Sequence, residues 1–515
     1  MPRLALTLFA ALMATTALAD GHDARPEITI ATPTIRPTHG GLDTSNYAQP
    51  VVYNVFDRIV TRDYLSTDPS VEGTLSPGLA TSWAQIDDVT WELTVRQGVT
   101  FHDGTPMTAA DVAFAVSPER AEIRPSGFVA TIENAEAVDA ETVRITTKGP
   151  DPVLLWRLAS PLGHVVPKEM YIEMGHEAFS AAPVGTGPYR FIEKVDGDRL
   201  VLEANDDYWG TTPPLRRITF REVPEVSTRI ANLVTGEMDM AISIPPDQKE
   251  LVDREESLQT KSVRILNNHQ LVFNSADPAN IVHDKRIRQA MMLSMPRPQL
   301  VDVIWGGLTE VPDGYNWDEF GAMAAENPMP AYDPERARAL LAEAGYDGET
   351  IELRFVDGYY VNMGRALQVA QQEWAKVGLN VELGIKENWT QLEWQKTDFD
   401  MWAVSADLNF NDPLSPMWVR WNPDTGSYAV PRPESEYGNW AVPAAYAEAG
   451  ETLSTSMDPA VRKAAWQTMH DILIDDVPHL PLYRPVEIWG FRADIDWAPY
   501  PLYWMDFRAE NFSVE

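Results

Sequence analysis

Residues 350–386 restrict the fold more than any other stretch of this chain. Ile351, Leu353 and Phe355 alternate with polar neighbours, which is the period of a half-buried strand. Leu367, Ala370, Trp374 and Val377 then share one face of a helix, and Gly378 closes it. Val381, Leu383 and Ile385 alternate again. Two strands joined by so long a helical crossover must lie parallel, so this part of the chain is α/β. Upstream, Asp333-Pro334 is a cap with proline at the first helical position, and Gly345 is the stop. Ala337, Leu340, Leu341 and Ala344 form the apolar stripe between them. Asp458-Pro459 repeats the cap signal, and residues 227–236 read as a further short capped helix.

A second informative stretch runs over 75–116. Trp91, Leu93 and Val95 point one way and Thr90, Glu92, Thr94 and Arg96 the other, a half-buried strand. Gln97-Gly98 and Asp103-Gly104 mark turns, with Val99 and Phe101 continuing the alternation as a second strand. Thr108 and Asp111 have the spacing of a capping box at a helix start.

The first 19 residues read as an export signal. Arg3 supplies positive charge, residues 4–13 are apolar, and Ala17-Leu18-Ala19 is a small-x-small cleavage pattern. That run is well short of the ~20 residues of a membrane span, and no later segment approaches one. Cysteine is absent, which excludes disulfides, thiolate metal sites and cysteine nucleophiles. At 515 residues the chain exceeds the ~250–300 at which single cores stop growing, so more than one domain is expected. Forty-one basic against 76 acidic side chains give a formal charge of −35, which repels nucleic acid and anionic lipid. A solvated acidic shell explains this charge better than selection of a cation, because salt screens surface charge beyond ~8–10 Å.

Catalytic patterns are missing. The chain holds no Gly-x-Ser-x-Gly, P-loop or His-Glu-x-x-His, and its nine histidines show no pair at metal-binding spacing. Gly185-Thr186-Gly187 begins like a dinucleotide fingerprint, but Arg190 stands where the third glycine belongs, so a turn is expected. No cofactor is implied.

Aromatic residues are more informative. Thirteen of 17 tryptophans follow residue 300, and six lie between Trp389 and Trp440. Trp374 and Trp466, on helical faces, read as core. Trp389, Trp402, Trp418 and Trp440, in strand or loop contexts, fit either a core or a ligand wall that attracts C–H groups and positive charge. Residues 401–405 read as a buried strand, and 406–413, with Asp407 and Asn409, leave its end. In α/β lobes ligands sit beyond the carboxyl ends of strands, which singles out Asp407. A loop cap on neighbouring backbone is the competing role.

The 75–116 string, LSPGLATSW…WELTVRQGVTFHDGTPMTAADVAFAV, closely resembles the signature region of the extracellular solute-binding proteins of the peptide/nickel/opine type, family 5, which serve ABC importers. Residues 183–191, 230–239, 273–290, 332–337 and 412–413 resemble further segments of that family in the same order. The resemblance implies a two-lobed periplasmic-binding-protein fold of type II, with an extra subdomain. Lobe 1 would comprise 27–272 plus 484–515, with the insertion at about 64–183, and lobe 2 would comprise 273–483. With no cysteine to carry a lipid anchor and no catalytic pattern, the expectation is an untethered, non-enzymatic, monomeric periplasmic protein. Such a protein would deliver a peptide-like, opine-like or sugar-like ligand to an inner-membrane permease, with a nickel chelate or haem as the alternative cargo. In peptide-binding relatives an Asp at the place of Asp407 pairs with the ligand's ammonium group. Trp389 and Trp402 would stack on the ligand, Tyr359 and Tyr360 would hydrogen-bond it, and Asn46 and Tyr47 would reach it from lobe 1. Dipeptide-binding relatives carry an Arg in the loop that reads here Asp357-Gly358-Tyr359-Tyr360-Val361-Asn362, so a neutral or cationic ligand fits better than a free dipeptide. Arg484 is the other candidate positive charge, with a hinge salt bridge as its competing role.

Overall fold

The computed structural model describes residues 24–36, 47–66, 73–123 and 131–515. Three sheets organise it. A seven-stranded sheet runs in the order Leu258–Arg264, Val486–Arg492, Met240–Ala241, Glu27–Thr32, Arg217–Glu222, Arg199–Ala204 and Tyr189–Val195. A five-stranded sheet runs Asn380–Lys386, Thr350–Val356, Met401–Asp407, Asn267–Phe273 and His479–Tyr483. The chain crosses between the two at 264–267 and returns at 483–486, which makes two lobes. A four-stranded antiparallel sheet, Ala80–Gln85, Thr90–Val95, Thr142–Thr147 and Ile132–Ala137, builds a subdomain on the first lobe with a core of its own.

The local signals explain most elements. Asp333 caps the helix Pro334–Ala344 by accepting from the Arg336 amide, and Gly345 ends it at φ +75°. Asp458 caps Pro459–Asp476 through two amides. Strands Thr350–Val356 and Asn380–Lys386 pair in parallel around the helix Met363–Val377. Trp374 on that helix is fully buried and its indole N–H reaches the Met291 carbonyl at 3.0 Å, so the large ring carries no unpaired donor inward. Gly185 and Gly187 have a steric role. A Cβ on either would stand 2.0 or 2.4 Å from the carbonyl oxygens of Val55 and Asn54, so this turn packs backbone on backbone.

Three expectations shift. The alternation at Val99 and Phe101 buries both residues, but it makes a tight loop with one Thr100–Pro106 bridge rather than a second strand. The two Gly turns lie too close together to leave room for a ladder. The helix near 227–236 spans Val226–Val234 and has no side-chain cap. Strand Asn267–Phe273, placed with lobe 1 by a boundary at 272, pairs with Met401–Asp407 and His479–Tyr483 and so belongs to the second sheet. The 1–19 segment lies outside the described residues.

Candidate functional site

Thr350–Val356, Asn380–Lys386 and Met401–Asp407 run parallel, so their carboxyl ends open on one side of the second sheet. Each end feeds a loop: 357–362 after the first, 387–388 after the second, ahead of the helix Trp389–Leu392, and 408–413 after the third. The first loop turns through Gly358 at φ +67° and Asn362 at φ +60°, a conformation that asparagine tolerates better than most residues. Between these turns Tyr359 and Tyr360 project into a cleft of about 760 Å3, which Trp389 and Glu387 also line. The opposite wall belongs to the first lobe, with Arg36, Tyr47, Glu222, Arg229 and Ser243.

The lobes touch across this cleft. Tyr47 Oη donates to the Tyr359 carbonyl at 2.9 Å and the two rings meet edge-on at 5.4 Å. Arg365 pairs with Asp247 at 2.8 Å, and Arg62 of the first lobe donates to Asn411 Oδ1 at 2.9 Å. The Arg365–Asp247 pair is more than half exposed on both sides, so it adds at most about 1 kcal/mol to closure.

Not every expected side chain faces the cleft. Tyr47, Tyr359, Tyr360 and Trp389 do, and Trp389 meets Tyr359 edge-on at 5.1 Å. Tyr360 Oη lies 3.0 Å from the Ser405 amide and 3.2 Å from its hydroxyl. Trp402 is buried behind this layer, edge-on to Trp389 at 6.4 Å and stacked near Trp394. Asp407 ends its strand and accepts from the Asn267 side chain. Asn409 follows, its amide donating to Ser415 Oγ at 2.8 Å. Trp418 and Trp440 pack on Tyr446 in the core of the second lobe, and the Trp440 indole donates to Asp476. Arg484 donates to Glu319 at 2.8 Å beside Asp318 and lies over the Trp317 ring, which is the hinge-bridge geometry. Asn46 lies outside the described residues.

One buried charge came without a sequence signal. Glu487 is 5% exposed, and its carboxylate accepts the Ser243 amide at 2.5 Å. Ser243 adopts φ +56°, a left-handed conformation that costs a serine energy and is typical of functional sites. Burial raises the Glu487 carboxyl to about 7, while the Ser243 hydrogen bonds and the Arg229 charge pull it back. Tyr47 and Tyr503 are also raised, by burial first and by the Glu487 charge next, and Asp407 adds to the effect on Tyr503. The Glu487 charge therefore acts on the phenols of Tyr47 and Tyr503, and that of Asp407 on Tyr503. A legible signal did exist at Asn267-Asn268-His269-Gln270: four polar residues in a row open a central strand, and all four are buried.

Residues 74–428 match the family model described as bacterial extracellular solute-binding proteins, family 5, middle. The glutathione-binding protein GsiB of Pectobacterium atrosepticum is 28% identical over 407 residues, covering 74% of this chain and 77% of that protein. Among solved structures, the periplasmic binding protein DppA of Helicobacter pylori, in complex with the peptide STSA, superposes with a TM-score of 0.83 at 21% identity, covering 95% of this chain and 99% of the other. NikZ of Campylobacter jejuni, in complex with Ni(L-His), gives 0.79 at 19% identity over 95% and 99%. These likenesses carry the two-lobed fold of type II. No helix among the described residues is long and apolar enough to cross a membrane.

Proposed function

The chain belongs to the bacterial extracellular solute-binding proteins of family 5, and on that premise we propose that it is the periplasmic binding component of an ABC importer. It closes its lobes on a small polar organic ligand and hands it, unaltered, to an inner-membrane permease. The observation that carries this reading is the cleft of about 760 Å3 with one wall from each lobe, bridged by Tyr47 and Tyr359. Pockets of this size suit small molecules. A ligand that touches both walls favours the closed form by its difference in affinity for the two states.

Within the cleft, Trp389 supplies an aromatic face, and Tyr359 and Tyr360 supply hydroxyls. Asp407, at the strand end, attracts a cationic group. The loop 357–362 has no arginine, so a ligand carboxylate must find Arg36, Arg229 or Arg365 along the cleft. Since Arg365 already pairs with Asp247, a ligand acid there exchanges one ion pair for another.

The test is to denature the purified protein gently and identify the released small molecule by mass spectrometry, with elemental analysis of the same sample. An organic cargo that rebinds and is recovered intact supports the reading. Stoichiometric nickel or iron replaces it with chelate or haem carriage, and a cleaved cargo replaces it with hydrolysis.

A further inference from the structure

Behind the main cleft lies a separate chamber of about 10 Å3, the space of a single water molecule. Tyr47, Tyr359, Tyr360 and Val361 line both spaces, so these four residues stand between chamber and cleft. Its far wall is made by His269, Glu487 and Tyr503.

Two of these groups lack what burial normally demands. His269 is 1% exposed, yet neither ring nitrogen has a hydrogen-bond partner among the described residues. Buried polar side chains are nearly always paired, so an unpaired imidazole facing a chamber points to a guest. Burial depresses this imidazole to about 3, which keeps it neutral and leaves one nitrogen as an acceptor. Glu487 is likewise buried and has no ion pair among the described residues. The neighbouring guanidinium of Arg229 is spent on the carbonyls of Val223, Pro224 and Ser243. The walls therefore offer a carboxylate, an imidazole nitrogen and phenol oxygens, all able to accept, around room for one heavy atom.

We propose that this chamber seats a primary ammonium group of the ligand, with Glu487 as its counter-ion and His269 as a second acceptor. A guanidinium is too wide for the space, and a quaternary ammonium is both too wide and without N–H donors. The inference rests on the ligand-capture reading and narrows it to amine-bearing molecules whose head is –NH3+.

Calorimetry with a matched panel tests the idea: putrescine and Nα-acetyl-lysine amide as primary amines, Nα-acetyl-arginine amide as the guanidinium counterpart, choline as the quaternary one, and Nα-acetyl-norleucine amide as the neutral one. At least one primary amine should bind about tenfold or more tightly than its counterparts, the worth of a charge-assisted hydrogen bond. Glu487→Gln should erase that preference, and His269→Phe should weaken it, with the unliganded melting temperature confirming a folded protein. Equal binding of amine and neutral members, or a preference indifferent to Glu487→Gln, overturns the subsite and leaves ligand capture standing. If no primary amine binds the subsite falls, and if no panel member or recovered cargo binds the capture reading falls with it.

Discussion

Tyr47 and Tyr359 face each other from opposite lobes, joined by a 2.9 Å hydrogen bond from the Tyr47 hydroxyl to the Tyr359 carbonyl. With the rings edge-on, one aromatic contact and one hydrogen bond bridge the two walls of the cleft. The contact joins the two lobes, so its loss should be visible in affinity. Tyr47→Phe keeps the ring and loses the bond. Ligand affinity should fall about three- to tenfold, the equivalent of roughly 1 kcal/mol. Calorimetry measures this, and an unchanged Kd would remove Tyr47 from the closing contacts.

Asp407 ends its strand with the Asn267 side chain as one partner. Asp407→Asn keeps the shape and removes the charge. Binding of an amine-bearing ligand should weaken by about tenfold or more, with circular dichroism unaltered. Retained affinity would assign Asp407 to capping the neighbouring backbone.

Glu487 sets a pH signature. Its folded carboxyl titrates at about 7 against an ordinary 4.5, so the folded chain holds this proton after the unfolded chain has lost it. Its stabilising effect is complete below 4.5 and is lost as pH rises through 7. Gln has no such loss, while Arg229, Tyr47, Tyr503, His269 and Asp407 around it are the same in both proteins. The melting temperature of unliganded Glu487→Gln should therefore exceed that of the wild type most at pH 8, by up to about 3 kcal/mol of stability, and converge with it towards pH 4.5. A difference independent of pH would show that the carboxyl is not held up by burial.

Gly450 lies against Trp418, and a Cβ there would stand 2.0 Å from the ring. Gly450→Ala should cost about 1–3 kcal/mol in chemical denaturation through overpacking and leave ligand affinity unchanged. A selective loss of binding would move Trp418 from the core to the ligand wall.

Caps, stops and periodicity made the second lobe legible, because Asp333, Gly345, Asp458 and Gly378 act locally and their neighbours in sequence suffice to read them. The same holds for Tyr359, Tyr360 and Trp389, which follow strands whose direction the βαβ unit fixes. Glu487 and His269 were not legible in that way. Each lies on a strand paired with segments more than 100 residues distant, and it is the docking of two lobes that buries both around one chamber. Trp418 and Trp440 show the opposite failure. Trp418 closes a π-helical turn, Leu414–Trp418, that has no period pattern reading recognises, and Trp440 is a loop residue buried against Tyr446.

Small-angle scattering on cargo-free protein, before and after the recovered cargo is added back, tests the account most directly. Addition should shrink the radius of gyration to that of the closed two-lobed structure, and the cargo should come out with its mass unchanged. Superimposable profiles, or a cargo altered in mass, would contradict it.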